Sequence, residues 1–297
     1  MRALVTGASG FIGGRLCALL AREGWDVAAL VRRPGSEPPG TSAAVADLGD
    51  TEGLGTAVAG ARPDVVFHLA AEIATARDEA RLREVNVEGT RRLVEACRGA
   101  GEPLLVFAST VVTGDAGGRV LTEDEPLPVQ TPYGRSKQDG ERIVLESGLP
   151  AVVLRPSHVY GPGGWFAEEI VARIRAPGRL AVVGRGENLW DVVHVDDVCS
   201  ALLAAGTQPA ARGQVFHCAD DEPIAYRDFM ALTAQALGVG RPRSIPVPIA
   251  RLAAGRNAVA AVIRSARSSN AKLKATLGWA PRYPTAREGV PAAVAEL

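Results

Sequence analysis

Cysteine is scarce in this sequence, and neither sign of charge is in excess. The four cysteines are Cys17, Cys97, Cys199 and Cys218. They lack the paired spacing of a metal site or a disulfide framework, so we expect free, buried thiols in a reducing compartment and no bound metal. Lysine plus arginine and aspartate plus glutamate number 33 each, which leaves no net field to hold nucleic acid or an anionic membrane surface. The composition therefore favours a small-molecule substrate as the partner.

A long uncharged apolar run is also missing. None approaches the ~18 residues that a membrane-spanning helix needs. The N-terminal residues show no basic segment, apolar stretch and cleavage site of the kind that directs secretion. These absences predict a soluble cytoplasmic protein. Hydrophobic residues make up 47% of the 297, which is enough to bury a large core.

What the first half does contain is an alternation of short apolar runs and helical stretches. A strand at 3–5, a helix at 11–22 and a strand at 26–31 form a βαβ unit, which implies a parallel sheet. Further buried strands are predicted at 65–69, 104–108, 151–154 and 192–195, and helices at 82–97 and 133–146. Near-continuous apolar strands indicate a sheet covered on both faces. The predicted fold class is α/β, a Rossmann-type doubly wound parallel sheet with a smaller C-terminal lobe.

The alternation fades after Tyr160 into loops rich in glycine and proline. We expect residues 1–160 to form a dinucleotide-binding domain, with 187–218 returning to it. Residues 161–186 and 219–297 are expected to form the smaller, substrate-binding lobe.

A glycine-rich turn joins the first predicted strand to the first helix. Glycines there permit a tight turn and let the backbone approach a pyrophosphate, which the N-terminus of the helix then stabilises. The turn lies inside a βαβ unit, so it predicts a dinucleotide site. The residues expected to contact the cofactor are Gly7, Ser9, Gly10, Phe11, Ile12 and Gly13.

The residues after the second strand bear on which dinucleotide binds. A carboxylate there would bond the ribose 2′-hydroxyl and repel a 2′-phosphate, whereas an arginine would pair with the phosphate. The sequence has Val31, Arg32 and Arg33 at this point. This favours NADP(H) over NAD(H), with Arg32 as the first contact and Arg33 as the second.

Tyr133 and Lys137 form a Tyr-x-x-x-Lys pair on one face of a predicted helix. A phenol has a pKa of about 10, so a nearby cation is needed for it to act as a base near neutral pH. Ser109 ends an apolar strand at the edge where α/β sheets bind ligands, and its hydroxyl could donate to a developing oxyanion. Thr110 could do the same.

Together, the glycine turn and the Tyr-x-x-x-Lys pair resemble the extended short-chain dehydrogenase/reductase family, of the NAD-dependent epimerase/dehydratase type. The resemblance spans nearly the whole chain and favours Ser109 over Thr110. It implies that Asn86 joins Ser109, Tyr133 and Lys137 as a catalytic residue. It also implies a homodimer through the helices that carry Asn86 and Lys137. The further cofactor contacts that it implies are Asp47, Leu48, Leu69, Ala70, Ala71, Tyr133, Lys137, Pro156, His158 and Val159.

Two positions bear on the branch of the family. Members that act on nucleotide-linked sugars have an asparagine and an arginine where this chain has His158 and Trp190. Neither ring replaces a bidentate guanidinium on a diphosphate. The sequence instead resembles dihydroflavonol-reductase-like and hydroxysteroid-dehydrogenase-like members, which act on carbonyls of apolar substrates. Trp165 and Phe166, like Trp190, are expected either to line the pocket or to form lobe core.

Some alternatives remain open at this point. An NAD-dependent nucleotide-sugar epimerase or dehydratase is the second hypothesis for the function, and a non-catalytic dinucleotide-binding protein is the third.

His68 and His194 lie in apolar runs and are expected to be hydrogen-bonded core histidines. Asp196 and Asp197 are expected to cap the helix that follows them.

Overall fold

The computed structural model of the chain describes residues 1–73, 78–176 and 181–297. Its strands are β1 (Arg2–Thr6), β2 (Asp26–Val31), β3 (Ser42–Val45), β4 (Val65–His68), β5 (Leu104–Ala108), β6 (Val120–Leu121), β7 (Ala151–Pro156), β8 (His158–Tyr160), β9 (Ala181–Val183), β10 (Leu189–Trp190), β11 (Val192–His194), β12 (Val215–Cys218), β13 (Ile224–Ala225), β14 (Arg243–Ile245) and β15 (Arg267–Ser268). Its helices are α1 (Phe11–Arg22), α2 (Thr51–Ala61), α3 (Glu79–Arg83), α4 (Gly89–Gly99), α5 (Pro132–Leu145), α6 (Ala172–Arg175), α7 (Val195–Thr207), α8 (Tyr226–Ala236), α9 (Val247–Ala254), α10 (Arg256–Ile263), α11 (Ala271–Leu277) and α12 (Ala286–Ala295). Within these ranges, no helix has the length and apolar character needed to cross a bilayer.

Seven parallel strands form the central sheet, in the order β12-β7-β5-β4-β1-β2-β3. Helices α1, α7 and α11 contribute to the apolar core on one face, and α2, α4 and α5 contribute to the core on the other. Every residue of β5 is buried, which explains its uninterrupted apolar sequence. The structure confirms the predicted doubly wound α/β fold. All four cysteines are buried and unbridged.

The structure corrects one predicted strand of the central sheet. The apolar run at 192–195 forms β11, which pairs with β8 in a separate two-stranded sheet. The strand that instead joins the central sheet is β12, which begins at Val215 and pairs with β7 at one edge of the sheet. An apolar run predicts a buried strand but does not specify its partner, and His217 weakens the apolar signal of β12.

A third apolar core lies outside the central sheet and defines what we call the small lobe. Its buried residues are Tyr160, Phe166, Ile170, Val171, Ile174, Val182, Trp190, Val192, Ile224, Tyr226, Phe229, Met230, Ala234, Ala286, Val290 and Ala293. Trp190, expected to return to the central domain, packs here because β10 pairs with β13. Conversely α11 and Trp279, expected in the lobe, pack against the central sheet. Whether a segment belongs to the central domain or to the small lobe therefore depends on what it packs against. Its position along the chain does not reveal this.

Helix α5 is fastened to β7 by a buried ion pair. The helix begins at Thr131, whose hydroxyl accepts from the Gly134 N–H, and Pro132 occupies its first turn. Two turns on, Glu141 accepts from Arg155 Nε at 2.9 Å and from Arg155 Nη2 at 2.6 Å. The two side chains are only 4% and 12% exposed. Since each charge is removed from water, each depends on the other.

We expect Arg155→Met to destabilise the protein by about 3–5 kcal/mol, because it leaves Glu141 as a buried, unpaired carboxylate. Adding Glu141→Leu should restore most of that loss, since the charge is then removed as well. Urea denaturation of both variants and the parent measures the difference.

The exposed pair Arg142–Asp139 on the same helix provides the control. Arg142→Met should change the free energy of unfolding by no more than about 1 kcal/mol. Additive losses in the double variant of the buried pair would contradict this account.

Candidate active site

The turn between β1 and α1 is a backbone cradle that side chains would fill. Gly7 has a φ of 67°, and a Cβ added there would lie 2.7 Å from the Ala70 nitrogen. A Cβ at Gly13 would lie 2.1 Å from the Gly7 oxygen. Helix α1 begins at Gly10 without a side-chain cap. Its first N–H groups are therefore available to a phosphate, and the cradle fits a dinucleotide.

A second glycine loop covers this turn. Gly161, Gly163 and Gly164 follow β8, and Gly164 has a φ of 53°. A Cβ at Gly164 would approach Phe11 Cδ1 to 2.7 Å, and one at Gly163 would approach Phe11 Cδ2 to 3.0 Å. The ring of Phe11 thus separates the loop from the start of α1. Ser9 is exposed, and Ile12 packs against the core below the turn.

A hydrogen-bonded chain through His68 joins the ends of β1 and β4. Thr90 donates to the Asn86 carbonyl at 2.7 Å, so its oxygen accepts from His68 Nε2 at 2.9 Å. His68 Nδ1 must then accept from Thr6 Oγ1, at 2.7 Å, whose oxygen accepts from the Ala70 N–H at 3.0 Å. Burial lowers the pKa of His68 to about 3, with a further contribution from Lys137. His68 is a neutral, fully bonded core histidine, as the sequence predicts, and it fixes the backbone beside the glycine turn.

The residues predicted at the adenosine end lie at the carboxyl ends of neighbouring strands. Arg32 and Arg33 follow β2, and both are exposed, with no ion pair to any described residue. Asp47 is exposed, and its carboxylate accepts from the Gly49 N–H at 2.7 Å. Leu48 is buried against α4, where a Cβ at Gly89 would lie 3.1 Å from the Leu48 Cβ. The predicted set therefore lies along one edge of the sheet.

Asn86 lies in a single π-helical turn, Glu84–Glu88, between α3 and α4. It is buried, and its amide oxygen accepts from the Glu72 N–H at 2.8 Å. Its amide nitrogen donates to the Glu72 carbonyl at 3.0 Å and to Ser136 Oγ at 2.9 Å. These bonds fasten the loop after β4 to helix α5. Leu69, Ala70 and Ala71 in that loop are half-buried.

Lys137 projects from α5 onto the end of β5. Its ammonium nitrogen lies 4.3 Å from the centroid of the Phe107 ring. Phe107 lies on β5 and precedes Ser109 by two residues. The lysine side chain is 2% exposed, and burial lowers the pKa of Lys137 to about 8, opposed by the charge of Glu141 one turn later. At neutral pH the Lys137 amine is mostly protonated, but its pKa is much closer to neutral pH than that of an ordinary lysine.

Tyr133 lies at the start of α5, which packs against the segment after Ser109. A Cβ at Gly134 would lie 3.0 Å from the Thr113 Cβ, so the helix and this segment are in close contact. Burial raises the pKa of Tyr133 to about 12. The sequence predicts that Lys137 favours the phenolate, whereas burial favours the protonated phenol.

The two hydroxyls at the end of β5 differ in their hydrogen bonding. Thr110 Oγ1 donates to the Pro156 carbonyl at 3.2 Å and accepts from the Val112 N–H at 2.9 Å. Ser109 Oγ is buried and has no partner among the described residues. A buried hydroxyl without an acceptor is available to a ligand. The geometry therefore favours Ser109 over Thr110 as the donor to substrate.

The structure corrects the capping of α7. The cap is His194, whose Nδ1 accepts from the Asp196 N–H at 3.2 Å. Asp197 instead accepts from the backbone N–H groups of Arg282 at 2.5 Å and Tyr283 at 3.1 Å. His194 Nε2 is buried without a described partner, so this histidine is less completely bonded than the sequence predicts.

The ring of His158 packs on the core of the small lobe and also meets Arg264, which the sequence did not predict to belong to the site. Arg264 donates from Nη2 to His158 Nε2, and the His158 ring stacks on Trp190 with 5.2 Å between centroids. Phe166 and Trp190 are lobe core, while Trp165 is partly exposed. No motif marks Arg264, because 106 positions separate it from His158.

Comparison with known proteins places this geometry in a family. The model of the NAD dependent epimerase/dehydratase family matches residues 3–219. A 3-diazoavenalumate denitrifying reductase of Streptomyces sp is 34% identical over 98% of this chain and 99% of its own length. A 4-hydroxy-2-methyl-3-oxo-4-farnesyl-3,4-dihydroquinoline-1-oxide ketoreductase of Stigmatella aurantiaca is 31% identical over 92% of this chain and 85% of its own.

Among solved structures, the UDP-glucose 4-epimerase of Thermus thermophilus in complex with NAD is similar. It has a TM-score of 0.83 and 30% identity, covering 100% of this chain and 98% of that one. The chain therefore belongs to the NAD-dependent epimerase/dehydratase family of extended short-chain dehydrogenases/reductases, and it is an NAD(P)-dependent enzyme.

Proposed function

We propose that this enzyme is an NADP(H)-dependent oxidoreductase that transfers hydride between nicotinamide and a carbonyl or secondary alcohol of a small substrate with an apolar body. One observation carries the proposal: the Ser109 hydroxyl, which has no partner among the described residues, lies at the end of β5, and Lys137 of α5 packs on Phe107 of the same strand. A carbonyl oxygen is the acceptor that this hydroxyl lacks.

Tyr133 is the proposed acid/base. Its raised pKa suits the reductive direction, in which the phenol donates its proton to the carbonyl oxygen while Ser109 donates a hydrogen bond to the same atom. When bound, the nicotinamide supplies or accepts the hydride. Lys137 provides the nearby positive charge that stabilises the phenolate left after proton transfer. Asn86 positions α5 through its hydrogen bond to Ser136.

The cofactor-binding assignment follows the strand ends. The turn Gly7 to Gly13 would hold the pyrophosphate, Asp47 and Leu48 the adenine, and Lys137 the nicotinamide ribose, as the family resemblance implies. Arg32 would pair with the 2′-phosphate, which its exposure and lack of a described ion-pair partner allow. In this proposal the central sheet binds the cofactor and the small lobe binds the substrate. A cytoplasmic homodimer through the helical segments that carry Asn86 and Lys137 completes it.

A second candidate is an NAD-dependent nucleotide-sugar epimerase or dehydratase. The likeness to the Thermus epimerase favours it, whereas Trp190 in the lobe core weighs against a diphosphate site of the usual kind. Such an enzyme regenerates its cofactor, so purified protein would retain bound cofactor and show no net NADPH consumption. The third reading, a non-catalytic dinucleotide-binding protein, is disfavoured by the intact Ser109, Tyr133 and Lys137.

Arg32→Asp should weaken NADPH binding much more than NADH binding, because a carboxylate would face the 2′-phosphate. Titration of both cofactors by nicotinamide fluorescence measures the two affinities. Arg33→Asp tests which arginine makes the contact, and exposed Arg62→Asp controls for a general loss of positive charge. Equal affinity of the parent enzyme for the two cofactors would refute the preference.

Tyr133→Phe should lower hydride transfer by about 10²–10⁴-fold while leaving cofactor affinity unchanged, because the ring remains and only the proton donor is lost. Ser109→Ala should also reduce the rate alone, whereas Lys137→Met should impair both rate and cofactor affinity. Single-turnover NADPH oxidation, with a ketone found by screening aryl and alkyl ketones, gives the rates. Near-parental transfer by Tyr133→Phe would place the acid/base elsewhere.

Reduction should slow above about pH 8. Burial lowers the pKa of Lys137 to about 8, so its positive charge is present below that pH and is lost as the pH rises through it. Tyr133, with a pKa of about 12, stays protonated over the same range. The single-turnover rate from pH 7 to pH 10 measures the effect, and Lys137→Arg should remove the fall. A parental rate independent of pH up to 9.5 would contradict this role.

A further inference from the structure

A buried cluster of Arg264, His158 and Asp191 lies where the small lobe meets the carboxyl edge of the central sheet. Arg264 is 8% exposed and donates to His158 Nε2. His158 must therefore carry its proton on Nδ1, which donates to the Asp191 carbonyl at 3.1 Å. Burial and the adjacent guanidinium both lower the pKa of His158. The imidazole is neutral, so it accepts a hydrogen bond from Arg264 without balancing its charge.

The guanidinium is incompletely partnered. Among the residues that the structure describes, His158 is its single hydrogen-bond acceptor, and no carboxylate forms an ion pair with it. Its Nε is buried and finds no partner in the part of the chain that the structure describes. The carboxylate of Asp191 accepts instead from Ser268 Oγ at 2.5 Å. A buried guanidinium has five N–H donors to satisfy, so most of the donors of Arg264 remain available.

Hydrogen bonds connect the segment around Arg264 to the loop that follows the Ser109 strand. His158 begins β8, directly beyond the end of β7, and β7 pairs with β5, which leads to Ser109. Ala116, in the loop after Ser109, donates to the Ser265 carbonyl at 3.1 Å. On the other side, Asn188 Nδ2 donates to the Arg264 carbonyl at 2.9 Å. Arg264 thus lies between the small lobe and the loop that follows the Ser109 strand.

Aromatic rings flank the cluster. The planes of His158 and Trp190 lie at 12° to each other. Trp165 meets the His158 ring edge-on with 6.1 Å between centroids, and it is only half-buried. Flat aromatic rings therefore pack around the histidine that accepts from the guanidinium, beside the polar side chains of Asp191 and Ser268.

We propose that Arg264 determines substrate specificity by binding a carboxylate on the substrate, at the end away from the carbonyl that Tyr133 protonates. This rests on the proposed function for the position of the carbonyl. His158 is a positioning residue that holds the guanidinium, and the apolar body of the substrate lies along Trp165. One guanidinium with Asp191 nearby suits a single negative charge better than the several charges of a nucleoside diphosphate.

The test measures binding, so it does not require turnover. The full chain with NADP⁺ is titrated calorimetrically with 3-phenylpropanoate, 3-phenylpropanamide, phenyl phosphate and uridine diphosphate. We expect the acid to bind at least about tenfold more tightly than the isosteric amide, as a charge-assisted pair should. Arg264→Gln should lose this preference while binding the amide as the parent does. Arg264→Lys should retain part of it, and Arg251→Gln, at an exposed arginine of α9, should retain all of it.

Equal affinity of the parent for acid and amide would overturn the inference, as would an acid preference that survives in Arg264→Gln. If that variant fails to fold, two measurements decide whether Arg264 binds the carboxylate: the ratio of the parent's affinities for the acid and the amide, and the change of that ratio in Arg264→Lys. Tighter binding of phenyl phosphate or uridine diphosphate than of the carboxylate would reject the carboxylate.

The failure of the proposed reaction has a different signature. An acid preference without oxidation of NADPH by any ketone would refute the reductase function and leave the binding role of Arg264 standing. Equal kcat/KM for neutral and acidic ketones would leave the reductase function standing and overturn the role of Arg264.

Discussion

The packing of α5 against the central sheet is the constraint on which the rest of the site depends. Lys137 lies over the Phe107 ring, and Glu141 pairs with Arg155 of β7. Two buried charges one turn apart on one helix would be costly without such partners, and their partners lie on adjacent strands. A Cβ at Gly140, between them, would come within 2.9 Å of Phe107 Cζ. The helix therefore lies close to the strand that ends at Ser109.

The same packing also shifts the pKa values of two titratable side chains on α5. Burial acts on Lys137 and Tyr133 in opposite directions, because it disfavours the charged form of each. The Tyr133 phenol stays protonated, and the pKa of Lys137 comes closer to neutral pH. Asn86, from the π-helical turn beside α5, restrains the helix and the loop after β4 together. The glycine turn and Tyr133, the proposed proton donor, are thus parts of one hydrogen-bonded assembly.

The small lobe adds aromatic side chains and an arginine to the carboxyl edge of the central sheet. Its core is aromatic, and it brings His158 and Arg264 to the boundary with the central sheet. The lobe is held there by backbone bonds, among them Ala116 N–H to the Ser265 carbonyl and Ser269 N–H to the Leu121 carbonyl. A substrate at the end of β5 would therefore meet both halves of the molecule.

The sequence by itself determined the doubly wound fold, the glycine turn and the Tyr133–Lys137 pair, because each rests on local spacing that a strand, a turn or a helix translates directly into geometry. Between Ser109 and Thr110 it favoured Ser109 only through the family resemblance, and hydrogen bonding then gave an independent physical distinction between them. Tertiary structure alone decided that β12 completes the sheet, that α11 joins its core and that Arg264 meets His158. These are contacts between distant segments, and no local pattern encodes the partner that a buried strand or a buried charge finds.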